Sequence, residues 1–188
     1  MKWKGASEIM RILKVFLQFA ALVIFFLFMA CTSTKFTAVW KDDTYQGHPE
    51  KILVINSFKD PANRRVFEDA FVKAIKDRRI DAVVSYTVMP DPAVSDMDTI
   101  AAKAKEVGAD TVLINKPVGT SHRETDSYFG TYTDMYVNTK TDVYDMKSNK
   151  LVLSVTAETW IREGVPYTDL MKSFVKDLVN RLSRVGLF

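Results

Sequence analysis

The residue types best suited to chemistry are a serine and a histidine that stand side by side, Ser121 and His122. They follow the third predicted strand, and open α/β sheets bind ligands beyond the carboxyl ends of their strands. A serine becomes a nucleophile only when its base faces it and a third group orients that base, which adjacency in sequence does not provide. A periplasmic hydrolase that uses a loop at residues 119–122 is therefore the alternative hypothesis, and a non-catalytic protein is the favoured one.

Motifs for the common kinds of catalytic or cofactor site are missing from the sequence. It contains no G-x-S-x-G elbow, no H-E-x-x-H zinc motif, no P-loop and no G-x-G-x-x-G fingerprint. Asp91, Asp96 and Asp98 are close together, but they lack the spacing and the closing glutamate of a calcium loop. Helix caps and turns explain them better. We therefore predict no catalytic residue, no cofactor and no metal site.

Aromatic residues are spaced along a predicted hairpin in the second half of the chain. They are Tyr128, Phe129, Tyr132, Tyr136 and Tyr144. Residues two or four apart share one face of a strand, so Tyr128, Tyr132 and Tyr136 are candidates for an exposed strip that binds a protein or a glycan. The alternative is that these rings pack across the strands with Trp160.

The charges of the chain are divided unevenly. The sequence has 26 basic and 23 acidic residues, and the first thirty residues hold four of the basic ones and one of the acidic ones, which leaves 22 of each sign. A neutral domain lacks the basic surface of a nucleic-acid binder, so that class is excluded.

The first thirty residues have the order of a secretory signal. A basic stretch precedes an apolar run at residues 15–30, which is interrupted only by Gln18 and is short for a membrane span. The run ends at Ala30, directly before Cys31, the only cysteine of the chain. A single cysteine excludes both a disulfide framework and a zinc site built on several thiolates.

The residues around this cysteine resemble a lipobox, the processing motif of bacterial lipoproteins. Ala30 and Cys31 match the motif, whereas Phe28 and Met29 depart from its usual residues. The resemblance implies cleavage before Cys31, a lipid on its thiol and acylation of the new amino group with a chain such as palmitate. In such lipoproteins an aspartate directly after the cysteine signals retention in the inner membrane. Thr32 occupies that position here, which implies the outer membrane and its periplasmic face. The alternatives are an uncleaved anchor helix and an ordinary signal cut after Ala30.

The chain divides into three predicted parts. Residues 1–30 are the signal peptide, residues 31–50 are a lipidated tether, and residues 51–188 are one periplasmic α/β domain. Trp40 and Tyr45 lie within the tether. We expect one of them to fold back onto the domain, and the alternative is a partner-binding arm.

The periodicity of the domain predicts the order β-α-β-α-β-β-β-α. The expected elements are a strand at 51–55, a helix at 61–79, a strand at 82–89, a helix that is capped by Ser95 and ends at Val107, a strand at 111–114, a hairpin at 127–146 and 150–161, and a helix at 167–184. Arg64 is assigned to the solvated face of the first helix, opposite an apolar stripe. Crossover helices and a hairpin together predict a mixed sheet with helices packed against it.

Several segments resemble the small α/β domains of envelope lipoproteins of the curli-secretion (CsgG-like) and TolB amino-terminal kind. They are Lys51–Ile55, Arg65–Glu68, Ala104–Ile114 and Val143–Val152, within a similar topology over residues 51–180. The resemblance implies a non-catalytic protein that binds envelope proteins in assembly, secretion or cell-wall synthase activation. The domain is too short to supply the long membrane hairpins of a curli-type pore, so we expect no pore.

Overall fold

The computed structural model describes residues 33–89, 96–128 and 130–188, which fold around one mixed sheet. The strands are β1 (Thr34–Lys41), β2 (Lys51–Asn56), β3 (Asp81–Val84), β4 (Thr111–Ser127), β5 (Gly130–Asp145) and β6 (Lys150–Ile161). The helices of these residues are α1 (Pro61–Lys76), α2 (Met97–Glu106) and α3 (Tyr167–Arg184). None of these helices combines the length and the apolar character that crossing a membrane requires. Ala30, Cys31, Asp91, Ser95 and Phe129 lie outside the described residues, and so do the predicted cleavage and lipidation.

The strands are ordered β1-β6-β5-β4-β2-β3 across the sheet. β2 pairs in parallel with both β3 and β4, whereas the pairs β4–β5, β5–β6 and β1–β6 are antiparallel. The run Ile52–Ile55 is buried, because α1 and α3 lie over one face of these strands and α2 lies over the other. A continuous apolar run is typical of such a strand. The predicted α/β fold with a mixed sheet is confirmed.

The main core lies between the sheet and the helices α1 and α3. Phe67 and Phe71 from α1 and Phe174 from α3 are buried there. The ring centroid of Phe67 is 5.7 Å from that of Phe71 and 6.1 Å from that of Phe174. Each such side chain contributes about 2–3 kcal/mol by leaving water. The apolar stripes of both helices are those that their periodicity predicts.

The ends of α2 show one difference from the prediction. Its N-cap is Asp96, whose side chain accepts a hydrogen bond of 2.7 Å from the backbone N–H of Thr99, and not Ser95. This bond lowers the pKa of the Asp96 carboxyl. At the other end Gly108, which follows the C-cap Val107, has a φ of 68°, which a glycine adopts without strain.

Residues 34–41, predicted as tether, form the edge strand β1. This strand pairs with β6 from Thr34 opposite Thr159 to Lys41 opposite Leu153. A register shift between Phe36 and Ala38 disrupts the alternation of apolar and polar residues, so no strand pattern is visible in the sequence. The folded unit therefore starts at Ser33 and not at residue 51.

Several contacts fix this amino-terminal segment to the rest of the domain. Phe36, Val39 and Tyr45 are partly buried against the main core. Nζ of Lys41 donates to the carbonyl oxygens of Val185 (3.1 Å) and Gly186 (2.8 Å), just after the end of α3. Of the two rings expected to fold back, Tyr45 does so, whereas Trp40 remains 50% exposed.

The strand predicted to reach Met89 ends at Val84, where the chain enters a 3-10 turn at residues 85–87. The turn forms because the carboxylate of Glu68 on α1 accepts hydrogen bonds from the backbone N–H groups of Ser85 (2.7 Å) and Tyr86 (3.1 Å). Arg64 is also placed differently from the prediction. It is 5% exposed and not on the solvated face of α1, because it forms a buried ion pair with Glu68 one helical turn away.

β5 and β6 form the predicted hairpin, and β4 and β5 form a second, longer hairpin that the sequence does not predict. β4 does not end at Ile114 but continues to Ser127, and β5 follows it along its whole length. The strand passes a bulge between Pro117 and Gly119, where proline has no N–H to donate and the φ of 147° at Gly119 favours glycine. Proline and glycine are typical of turns and loops, so the sequence does not indicate a strand that continues through them. The domain therefore contains one long hairpin whose first strand the sequence pattern does not indicate beyond Ile114.

Candidate interaction surface

Ser121 and His122 lie on β4 rather than in a loop. Successive residues of a strand point to opposite faces of the sheet, so the two side chains cannot face each other. Nδ2 of Asn138 donates to Ser121 Oγ at 3.3 Å, and His122 is exposed. The structure does not bring together the nucleophile and the base of the hydrolase hypothesis.

The acidic residues near the start of α2 also have structural roles. Asp96 caps the helix, and Asp98 lies in its first turn, where the helix dipole favours a negative charge. Within residues 33–89, 96–128 and 130–188, no group of three histidine, cysteine, aspartate or glutamate side chains is placed to hold a metal ion.

One face of the sheet is open over β1, β6 and β5. The helices α1 and α3 lie on the opposite face, and α2 lies over β2 and β4, so no described helix covers this area. The strand register brings the following residues together on it: Lys35, Ala38, Trp40, Ser154, Thr156, Glu158, Trp160, Asp134, Tyr136, Asn138, Lys140 and Asp142, with Lys116, Ser121 and Arg123 from β4. We call this surface the open face.

An aromatic pair occupies the end of the open face nearest the hairpin turn. Tyr136 lies directly opposite Trp160, and the Arg123 guanidinium is 4.5 Å from the centre of the tyrosine ring. Nε1 of Trp160 donates to Asp134 Oδ1 at 3.0 Å. Arg123 also reaches across β5 to pair with Glu158 on β6, and this hydrogen bond raises the pKa of the guanidinium. Tyr136 is therefore a cross-strand neighbour of Trp160.

The other two candidate tyrosines are more exposed. Tyr132 is 54% exposed and lies on the same side of β5 as Tyr136, since the two are four residues apart. Tyr128 is 98% exposed in the turn between β4 and β5. The predicted strip therefore consists of Tyr132 and Tyr136, with Tyr128 at the tip of the hairpin.

The centre of the open face carries a buried carboxylate. Asp142 is 2% exposed, and its oxygens lie 3.3 Å from Nζ of Lys116 and 3.2 Å from Nζ of Lys140. Ser154 Oγ donates to the same carboxylate at 2.7 Å. Two ammonium groups and one hydroxyl therefore surround a single carboxylate at the centre of this face.

The composition of the open face suits contact with another protein. Trp40 at one end and Trp160 at the other are exposed, and paired charges lie between them. Tryptophan, tyrosine and arginine are the residue types enriched in protein interfaces. Arg123 and Glu158 cannot be identified as a pair from the sequence, because their pairing depends on a register across three strands.

Comparisons with known proteins show the fold. No protein-family model matches the chain, and no curated protein matches its sequence. PelC of Paraburkholderia phytofirmans, solved as a dodecamer, matches with a TM-score of 0.52 and 14% identity, over 79% of this chain and 96% of PelC. The lipoprotein GNA1162 of Neisseria meningitidis matches with a TM-score of 0.47 and 15% identity, over 72% of this chain and 99% of its own. At 14% identity, the likeness to PelC extends to the α/β fold and no further.

Proposed function

We propose that this chain is a lipid-anchored, non-catalytic protein of the bacterial envelope that binds a partner protein through the open face. The observation that carries the proposal is the open face itself, a sheet surface with exposed aromatic rings at both ends and fixed ion pairs between them. Ordered side chains lose little freedom on binding, which favours a specific complex. The expected partner presents apolar side chains opposite Trp40 and Trp160 and charges that complement the ion pairs.

The anchor in this proposal is Cys31. Cleavage after Ala30 makes the cysteine the first residue, and acyl chains on its thiol and its amino group enter the bilayer. Each buried methylene contributes about 0.8 kcal/mol, so a residue with several such chains stays on the membrane. Thr32 supports the outer membrane as the destination, with the domain on the periplasmic side.

Cys31→Ala tests the anchor. We expect the unaltered chain to sediment with membranes and to carry the mass of a lipid-modified cysteine, and the variant to lose both properties. Thr32→Asp is the matched control for the destination of the protein, since this variant should keep the lipid mass and move to the inner membrane. A Cys31→Ala variant that stays on the membrane with unchanged mass contradicts the anchor.

Crosslinking in intact cells tests the partner. A photo-reactive amino acid in place of Trp40 lies on the open face, and one in place of Lys73 lies on the exposed side of α1. We expect a crosslinked protein at position 40 and not at position 73, with a yield that falls when Arg123→Glu breaks the pair with Glu158. A product of twice the chain's mass identifies a second copy as the partner, as the PelC dodecamer suggests. Equal yields at positions 40 and 73 contradict a specific open-face partner.

A further inference from the structure

The start of β1 and the long hairpin lie at the same end of the sheet. Thr34 pairs with Thr159 of β6, which pairs with Val137 of β5, which in turn pairs with Thr120 of β4. These four residues form one row across the sheet. Thr34 is the third residue after Cys31 in the sequence, and β4 and β5 continue beyond the row to their turn.

The hairpin is longer than the segment that connects the domain to Cys31. β4 continues from Thr120 to Ser127, a projection of about 23 Å at 3.3 Å per residue. Cys31 precedes Thr34 by three residues, which span at most about 11 Å. A lipid on Cys31 therefore holds this end of the sheet close to the bilayer, and the hairpin is long enough to reach it.

Exposed apolar side chains are concentrated at the same end. Among the described residues eight large apolar side chains are exposed, and four of them lie beyond the row, toward the hairpin turn: Tyr128, Tyr132, Met135 and Trp160. Tyr132 and Met135 extend from opposite faces of β5, so each side of the hairpin carries an exposed apolar side chain. Clustered exposed apolar groups mark a contact surface.

We infer that the hairpin tip, with Tyr128 and Tyr132, lies in the headgroup layer of the membrane that holds the lipid of Cys31. The inference rests on the proposed anchor and adds which surface of the domain faces the bilayer. Tyrosine rings are enriched at this depth, because the ring contacts acyl chains while the hydroxyl stays in water. The open face, which runs away from the tip along β1, β6 and β5, stays accessible to a protein.

Two features limit the depth of the contact. Among the described residues, β4 pairs with β2 as far as Asn115 and β5 pairs with β6 as far as Met135, so beyond these points the outer sides of the hairpin are sheet edges. A sheet edge is costly in hydrocarbon, where a backbone group without a hydrogen-bond partner costs several kcal/mol. Glu124 and Asp126 are also exposed near the tip. The headgroup layer supplies water to these groups, whereas the acyl core does not.

Tryptophan fluorescence tests the inference. The chain after Ala30 contains two tryptophans, Trp40 and Trp160. In the first variant both are replaced by phenylalanine and Tyr128→Trp is the only reporter. In the matched control, Trp160→Phe leaves Trp40, about 20 Å along β1 from the row. Each lipid-modified chain is placed in vesicles of phosphatidylcholine and phosphatidylglycerol, with or without bromine on the acyl chains near the headgroups.

We expect the Tyr128→Trp emission to be blue-shifted and quenched by brominated lipid, and the Trp40 emission to be unchanged. Tyr132→Trp is the second reporter if the first variant does not fold. If the Tyr128→Trp emission is equal in brominated and plain vesicles, the inference is overturned. The lipid mass and the co-sedimentation of the same sample would still support the proposed anchor. A chain without the lipid mass overturns the proposed anchor and this inference with it.

Discussion

Arg64 and Glu68 form an ion pair inside the core, with Nε of the arginine 2.9 Å from Oε1 of the glutamate and side-chain exposures of 6% and 0%. The carboxylate also accepts hydrogen bonds from the backbone N–H groups of Asn56, Ser85 and Tyr86. One side chain of α1 thereby holds the end of β2 and the turn after β3. Because water is excluded, each charge depends on its partners in the protein.

Removal of this carboxylate is expected to destabilise the fold strongly. Glu68→Ala should lower the free energy of unfolding by roughly 3–5 kcal/mol, since it leaves the Arg64 guanidinium buried without its anion. Urea denaturation followed by circular dichroism measures the change. Asp77→Ala is the matched control, because Asp77 forms the same kind of pair with Lys73 on the same helix but in solvent, where a pair contributes about 0–1 kcal/mol. Equal costs for the two variants contradict the role of Glu68.

The buried pair also shows where periodicity alone is insufficient. The apolar stripe of α1 is correctly predicted, because Phe67, Phe71 and Ile75 recur at helical spacing. Arg64 is assigned to solvent by the same reasoning, since a lone charge is costly in a core. The cost is offset by Glu68, whose carboxylate is itself held by N–H groups of β2 and of the turn after β3, and these partners follow from tertiary structure. The same bonds explain why β3 ends at Val84.

The sequence predicts less of the candidate site than of the fold. Alternation identifies which tyrosines share a face, and Tyr132 and Tyr136 do. It does not identify Arg123 and Glu158 as a pair, because they lie on strands that are separated by β5. The pattern also does not indicate that β4 extends beyond Ile114, which is why the sequence predicts a loop for Ser121 and His122. Resemblance to curli-secretion and TolB-type domains, and the lipid on Cys31, stay predictions.

The edge strand β1 is expected to contribute to stability, unlike a tether. Val39 is partly buried against the main core, whereas its neighbour Ala38 is exposed on the open face. Val39→Asp should lower the free energy of unfolding by about 2 kcal/mol or more, because it places a charge against apolar side chains. Ala38→Asp keeps the new charge in water and should have little effect. Urea midpoints that change equally little in the two variants would indicate that β1 is not part of the cooperative fold.

Asp177 on α3 is a carboxylate whose environment disfavours its charge. Burial raises the pKa of Asp177, against a smaller opposing effect of the neighbouring charges of Lys176 and Arg184. Its Oδ2 has no hydrogen-bond partner among the described residues. A raised pKa means that the native state binds this proton more tightly than the unfolded chain does. The resulting stability is present below the ordinary carboxyl pKa and is lost as the pH rises through the raised value.

Asp177→Asn should therefore stabilise the protein at neutral pH, because the amide keeps the shape of the side chain without its charge. We expect a higher Tm than that of the unaltered chain at pH 7, and a difference that shrinks as acid protonates Asp177. Scanning calorimetry between about pH 3 and pH 8 covers both protonation states.

Asp169→Asn is the control of opposite sign, because Asp169 is 60% exposed in the first turn of the same helix. A negative charge there contributes about 0.3–1 kcal/mol through the helix dipole, so its loss should lower the Tm at pH 7. If Asp177→Asn lowers the Tm at pH 7 as Asp169→Asn does, the Asp177 carboxylate is stabilised by its surroundings and the assigned direction of its pKa is wrong.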